Sequence, residues 1–429
     1  MIILTNFPQK RLVSLLFLFY LAVICWSLTH IPFIRNSGLN KKSIILLFVI
    51  KLYVGVLYGL LSYSSLTGGD NWNMHLEGIE QYHLLFKDPR GYVMNVFRDN
   101  YNNHYGGLLD TTDSYWNLLR SELMAKILSL FDIFSNCNYY INTLFYNFLV
   151  FFGFIALYRI FNSIYPGNQK LLIISIFLLP SLLYFSSGIH KDGLIFLAIA
   201  MTVYSMHVML SEKKLSVLKL FAAGIGLGII FLLRNYVMIT LLPGLVAWVI
   251  ASKRVNYVTQ TFTIVYLAFT ILFFSLYLLS PKADLPRYVS ERQMAFIKIS
   301  DSANSAININ PLFPTFRSFF NNAPQAFNHS LMRPYLFEKR TFSFLITAGE
   351  IFIYEFLLLL MLLIPIRRKL NEPFVCFGIF FAISMMMIIG YTIPVIGAIV
   401  RYRSIYFPFL ITPILCSIQW SKLSLKSSS

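Results

Sequence analysis

The sequence predicts an all-α fold: a polytopic transmembrane helical bundle of about 10–12 spans, with two long extracytoplasmic loops carrying short membrane-parallel helices. Three observations point there. Of 429 residues, 57% are hydrophobic and 17% aromatic while only 12% are charged, against roughly a quarter charged in an ordinary soluble domain. Windows of about 20 residues with almost no charge recur along the chain, each long enough to cross a hydrocarbon core as a helix. Lys and Arg gather in the short connections between them, as cytoplasmic loops do.

Taken in order, the spans fall at about 12–30, 43–65, 139–163, 170–187, 193–210, 215–233, 235–252, 261–280, 343–366, 373–393 and 400–419. The first reads as a retained helix, because "LLFLFYLAVICWSL" runs on without a small-residue cleavage site. The chain 1–429 reads as a single integral membrane domain with no internal repeat. Its only long polar stretches are 66–138 and 281–342, the first and second large extracytoplasmic loops.

Alternating the spans places Arg35, Lys41, Lys42, Lys170, Lys213, Lys214, Lys253, Arg254, Arg367, Arg368, Lys369, Lys422 and Lys426 on one face, the cytoplasmic one. Both long loops, the His190-Lys191-Asp192 turn, the Arg234-Asn235 turn, Arg401 and Arg403 share the opposite face. An odd number of spans puts the N-terminus outside, against the preference of Lys10 and Arg11 for the inside, so the first segment either lacks a partner or does not fully cross.

Much of the net charge of +17 is this same bias. Nucleic-acid binding would need a basic soluble module or a recognition motif, and neither is present. Cys25, Cys137, Cys376 and Cys416 are scattered without paired spacing, which gives neither a disulfide framework nor a metal site.

The outer face carries the chemistry. In "SLTGGDNWNMHLEGIEQYHLLF", Asp70 follows two glycines and precedes Leu76, Ile79, His83 and Phe86, a spacing that suits a short helix on the membrane. Asp70 has two readings. Either it or Asn71 caps the helix, with Gly68 and Gly69 making the turn, or its carboxylate is a general base. His75 in the same stretch is a candidate substrate contact. Further on, "SYWNLLRSELMAKILSLF" sets Trp116, Leu119, Leu123 and Ile127 on one helical face, with Arg120, Glu122 and Lys126 elsewhere. That is the pattern of an interfacial helix.

"SSGIHKDGLIF" places His190, Lys191 and Asp192 between two apolar runs. Lys191 alone would snorkel; three ionisable groups together call for an internal ion pair or a ligand. Arg234 ends the next hairpin in "GIIFLLRNY", and Arg401 and Arg403 open the last span in "IGAIVRYRSIYFPFL". Two residues apart on a helix they point in different directions, so one of them, Arg401 by preference, faces the site. Basic groups converging on one mouth suit a phosphate or pyrophosphate. The second loop adds His329, Arg333 and Glu338 in "NNAPQAFNHSLMRPYLFEKR". Glu350 and Glu355 in "AGEIFIYEF" need an inward polar partner, for which Lys51 is the candidate.

This layout, with an acid in the first large outer loop, membrane-parallel helices behind it and "RYRSIYFPFL" in the last span, resembles the membrane glycosyltransferases of the C-type fold. It is similar as well to the polymerases of bacterial O-antigen and exopolysaccharide. The resemblance covers the general layout of most of the chain, and its motifs are short. It implies a multi-pass protein of the bacterial inner (cytoplasmic) membrane acting on its extracytoplasmic face. Its partners would be a polyprenyl-phosphate or -pyrophosphate-linked glycan, an acceptor glycan or lipid, and membrane lipids. The base would map onto Asp70 and the phosphate contacts onto Lys191, Arg234 and Arg401, within a wider substrate-binding set of His75, His190, Asp192, Arg333 and Arg403. Two acids close together are common in the C-type family, whereas Asn71 and Asn73 stand beside Asp70 here, so no divalent metal and no other cofactor is expected. The polymerases rely on arginines, which Arg234, Arg333 and Arg401 match. The competing class is a transporter or flippase in which Lys51, Glu350, Glu355 and Arg234 line a path; its marks are repeated halves and helices interrupted near the midplane.

Overall fold

A computed structural model describes residues 7–63, 69–95, 115–300, 305–338, 341–363, 371–418 and 420. Gly68, Arg367, Arg368, Lys369, Lys422 and Lys426 lie outside the described residues, as do the side chains of Lys10, Arg11, Trp116, Leu119 and Arg120. The described chain is a helical bundle. In order its α-helices are α1 (Phe7–His30), α2 (Pro32–Arg35), α3 (Lys41–Tyr63), α4 (Asp70–Lys87), α5 (Pro89–Met94), α6 (Tyr115–Ser135), α7 (Tyr139–Ile164), α8 (Gln169–Phe177), α9 (Pro180–Ser187), α10 (Lys191–Glu212), α11 (Val217–Leu233), α12 (Asn235–Ala251), α13 (Val258–Leu279), α14 (Leu285–Ser300), α15 (Phe316–Leu331), α16 (Phe342–Leu363), α17 (Pro373–Thr392), α18 (Ile396–Ser404) and α19 (Phe407–Ser417).

Every expected span occurs as helix, and the chain is a multi-pass membrane protein. Among the described residues, seven helices are long and apolar enough to cross a bilayer, or up to nine spans if the bent pairs α8/α9 and α18/α19 each count as one. The two other apolar helices, α11 and α12, have 17 residues each, at the short end of what spans a bilayer. The centre of the bundle is α7, which packs against α3, α8 and α10, and its second core element is α17, against α12, α15 and α19.

The expected spans at 170–187 and 400–419 are not continuous. They bend by 52° between α8 and α9 and by 64° between α18 and α19. Pro180 explains the first break. It occupies the start of α9, where a ring without an N–H ends the preceding helix, and Leu179 before it is extended at φ −62°, ψ 118°. Pro408 holds the corresponding place in α19.

Breaking a helix inside a membrane exposes backbone donors that water cannot satisfy. Glu350 supplies the partner. Its carboxylate accepts from the Ser181 backbone N–H at 3.1 Å and from Ser181 Oγ at 2.9 Å, with the Tyr354 hydroxyl donating from one turn away. An anion at the N-terminus of a half-helix is also favoured by the helix dipole. The expected partnership with Lys51 is therefore not formed: Lys51 lies on α3 and donates to Ser186 and Ser187.

In the first loop, α4 packs on α6 through Gly78, where a Cβ would stand 2.7 Å from Leu128 Cβ. Asn71 and His75 are buried on that side, while Leu76, His83 and Phe86 stay exposed, the face an apolar surface would cover. On α6, Leu123 and Ile127 pack against the core. In the second loop, Ala306 and Val395 form an isolated antiparallel bridge that ties the stretch before α15 to the entrance of α18.

Candidate functional site

Five of the expected residues come together at one end of the bundle: Asp70, His190, Asp192, Arg234 and Arg401. Each arrives from a different place. Asp70 is the first residue of α4, His190 is the N-cap of α10, and Asp192 lies in the first turn of α10. Arg234 is the single residue joining α11 to α12, and Arg401 lies in the last turn of the broken-span half-helix α18.

At the centre is Asp192, 1% exposed. It forms an ion pair with Arg234 Nη2, lies 3.5 Å from Arg401 Nε, and stands 2.7 Å from His190 Nδ1. Its own backbone N–H is 3.4 Å from that same nitrogen. Nδ1 therefore meets both the Asp192 carboxylate and the Asp192 backbone N–H, which donates to it. His190 Nε2 is buried without a hydrogen-bond partner among the described residues and faces Asp70 Oδ2 at 3.7 Å. A buried carboxylate that holds an imidazole from behind fixes the direction of its other nitrogen, here toward Asp70.

Asp70 is the open member, its side chain 66% exposed. It is held down at about 2, first by His190 and then by Arg401, whose Nη1 lies 3.5 Å away, against the opposing effect of partial burial. The capping role considered for it is not taken up. Gly69 occupies the N-cap position and no side chain caps the helix, so the Asp70 carboxylate is directed to the cluster. Asn71 is instead buried, donating to Ser62 Oγ and Tyr139 Oη, each at 2.7 Å.

Two phenols complete the site. The Arg234 guanidinium lies 3.8 Å over the ring of Tyr402 and donates to Tyr236 Oη at 3.1 Å, while Arg401 Nη2 donates to Tyr402 Oη at 3.2 Å. The result is two guanidiniums balanced by two carboxylates around an imidazole, so the ion pair considered for the His190-Lys191-Asp192 turn is formed, with Arg234 and Arg401 as partners. An anionic ligand must therefore compete with Asp192 and Asp70 for the arginines.

No family model, curated protein or solved structure matches this chain. The geometry alone has to carry the reading.

The other expected residues lie elsewhere. Lys191 is half-buried at the start of α10 and faces Glu77 of α4, whose carboxyl burial pushes up while Lys191 draws it down. Arg333 pairs with Glu338 at 3.3 Å. Arg403 is wholly buried and donates to the carbonyls of Ser330 and Arg333. Because successive helical residues are about 100° apart, Arg401 and Arg403 leave α18 on opposite sides. His75 packs edge-on against Trp72 and Tyr139, 3.4 Å from Asn142 Nδ2, and burial holds its imidazole down at about 4. Among the described residues no three His, Cys, Asp or Glu side chains are arranged to hold a metal ion.

What sequence reasoning missed is the support behind the His190 turn. Lys51 donates to Ser186 O at 3.0 Å, Ser186 Oγ at 2.9 Å and Ser187 Oγ at 3.0 Å, and Asn147 donates to Ser187 O at 2.8 Å. The Tyr146 hydroxyl donates to the His190 carbonyl. Gly55 allows α3 to come this close, since a Cβ there would meet Ser187 O at 2.5 Å. One signal was available: Lys51 is the only charge inside the apolar run 43–65. Tyr236 and Tyr402 carry no such signal, because each is merely next to or near an arginine until the fold brings the arginines together.

Proposed function

We propose that this chain is a membrane glycosyltransferase that uses a polyprenyl-phosphate-linked sugar or oligosaccharide on the extracytoplasmic face of the bacterial inner membrane, in surface-polysaccharide or envelope glycan synthesis. The observation that carries this reading is the five-residue cluster at one end of an apolar bundle, with one open carboxylate, Asp70, against His190 and Arg401 and a buried one, Asp192, between Arg401 and Arg234. Transfer from one lipid-linked glycan to another, as in a polymerase, would use the same groups.

The reaction is a displacement at the anomeric carbon. The acceptor oxygen forms its bond to that carbon, the bond from carbon to the phosphate oxygen breaks, and the electron pair leaves with the lipid phosphate. Arg234 and Arg401 stabilise the charge developing there. The acceptor proton passes to Asp70. A carboxylate held at about 2 is a weak base, but a donor phosphate that engages Arg401 removes one of the charges holding Asp70 down. Donor binding thus raises the basicity of the group that needs it. Asp192 fixes His190 and both arginines.

The test is transfer by the purified protein in liposomes from a polyprenyl-pyrophosphate-linked sugar. Asp70→Asn should abolish turnover in protein that remains folded, with only a modest fall in melting temperature from the lost pairing with His190 and Arg401; retained turnover removes Asp70 as the base.

One observation favours a transporter instead. The two broken spans lie side by side, α8 on α19 and α9 on α18, and interrupted helices are a mark of transporters. Against it, the first break is closed internally by Glu350 and the ionisable cluster sits at one end of the bundle. Substrate flux across sealed liposomes without glycosidic transfer would decide for that class.

A further inference from the structure

An open apolar groove of about 470 Å³ lies between α12, α13, α15 and α17. Its lining comes from the first half of α12 (Thr240, Pro243), the second half of α13 (Phe273) and the second half of α17 (Met387). All of these lie toward the end of the bundle that carries Arg234. Its rim is aromatic: Phe316 and Phe320 of α15 line it and are 60% and 68% exposed. An apolar trough rimmed by exposed phenylalanines and opening sideways suits a hydrocarbon chain entering from the membrane, not a soluble ligand.

The groove does not end blindly. Through Ile388 it adjoins a second, smaller cavity of about 20 Å³ lined by Tyr236, Tyr288 and Arg292. Tyr236 accepts from Arg234, and Tyr288 donates to Asn235 Oδ1 at 3.2 Å. Arg292, on α14, stacks over Phe296 at 4.9 Å with its Nε buried and unbonded among the described residues. A guanidinium N–H out of water and without an acceptor is costly. The cavity takes about one water-sized group, and a single oxygen of an anion held by Arg234 would satisfy the N–H there.

We infer that this groove holds the isoprenoid tail of the lipid-linked donor and that Arg292 is a second contact to its phosphate, beside Arg234. The inference rests on the function proposed above, because the groove leads past Ile388 and Tyr236 toward the Arg234 that would hold the lipid's phosphate. The second outer loop, through α14 and α15, then closes over the lipid and contributes specificity for it.

The test reads binding alone, with no sugar and no acceptor. The protein in nanodiscs is labelled with a polyprenyl monophosphate bearing a diazirine in its tail, and the cross-linked peptides are mapped by mass spectrometry. Labels should fall on α13, α15 and α17, and unlabelled polyprenyl monophosphate should compete them away. Ala323→Trp and Met387→Trp, which fill the groove from two helices, should each cut labelling by about tenfold, and Arg292→Gln should weaken competition by about tenfold. Uncharged polyprenol competing as well as the phosphate, phosphatidylglycerol carrying the same diazirine labelling equally, or labels falling outside the groove would each overturn the inference. Transfer activity that survives both groove-filling variants overturns the groove and leaves the transferase reading standing. Specific labelling in a protein that never transfers sugar does the reverse.

Discussion

Two groups of buried charge flank α18, and they differ in what they bond. On one side, Arg401 meets Asp192 and Asp70, with Arg234 and His190 completing a network of ionisable side chains. On the other, Arg403 donates to main-chain carbonyls and Glu350 accepts from the main chain of Ser181. Ionisable residues in a membrane are costly and by default point to function, but only the first group has an opening, through Asp70. The second serves backbone groups where a helix breaks, at Ser181, and where one ends, at Ser330 and Arg333. A buried charge whose partners are backbone atoms mends the fold; one whose partners are other charges, with one of them open, has the makings of a site.

The sharpest way to break the comparison is to remove Asp192. Asp192→Ala leaves the buried Arg234 without a carboxylate partner and Arg401 with Asp70 alone, and should cost about 3–5 kcal/mol of stability in denaturation of the solubilised protein as well as all turnover. On the other side, Glu350→Ala orphans the Ser181 N–H and hydroxyl, and should cost about 1–3 kcal/mol. Turnover per folded molecule should persist, and Glu350→Gln should recover part of the stability. If Glu350→Ala abolished turnover in protein that remains folded, the division between mending and site would fail.

A smaller effect belongs to His75, outside the cluster. Its imidazole is held at about 4 by burial, below the ordinary value of about 6.5. The unfolded chain therefore takes up a proton first as pH falls, so the stability His75 contributes is present above about 6.5 and lost on the way down to 4. His329, held at about 4 by burial and Arg333, adds to the same window. The melting temperature should fall from pH 7 to pH 4, and His75→Gln should flatten that fall; an unchanged slope would remove His75 as a contributor. Asp70, held at about 2, has the same sign at lower pH: its contribution is complete above about 4 and lost as pH falls through 2.

The smallest expected effect on stability is that of Lys51→Met. It removes the charge behind the His190 turn but keeps the apolar stem, so the fold should survive with a modest loss. The turn that presents His190 and Asp192 loses three bonds, and turnover should fall with little change in the donor concentration needed for half-maximal rate.

Much of the fold was legible because hydrophobic run length reports directly on span position. The breaks were not read, although Pro180 and Pro408 were in plain view, because hydropathy averages over a proline without registering it. Within the site, Asp70, His190, Asp192, Arg234 and Arg401 stood out by being ionisable at the ends of apolar runs. Arg403 and Arg333 stood out in the same way and bond elsewhere, since charge at a run end does not say which side of the helix it leaves. Glu350 was visible as an anomaly, but its partner is a backbone N–H exposed by a break, which no pattern of side chains announces.

The central claim is tested most directly by a cryo-EM map of the protein with a polyprenyl-pyrophosphate-linked sugar added. Phosphate density should stand against Arg401 and Arg234, with the Asp70 carboxylate facing the sugar. A continuous polar path between the two faces of the bundle, with no lipid at the cluster, would contradict it.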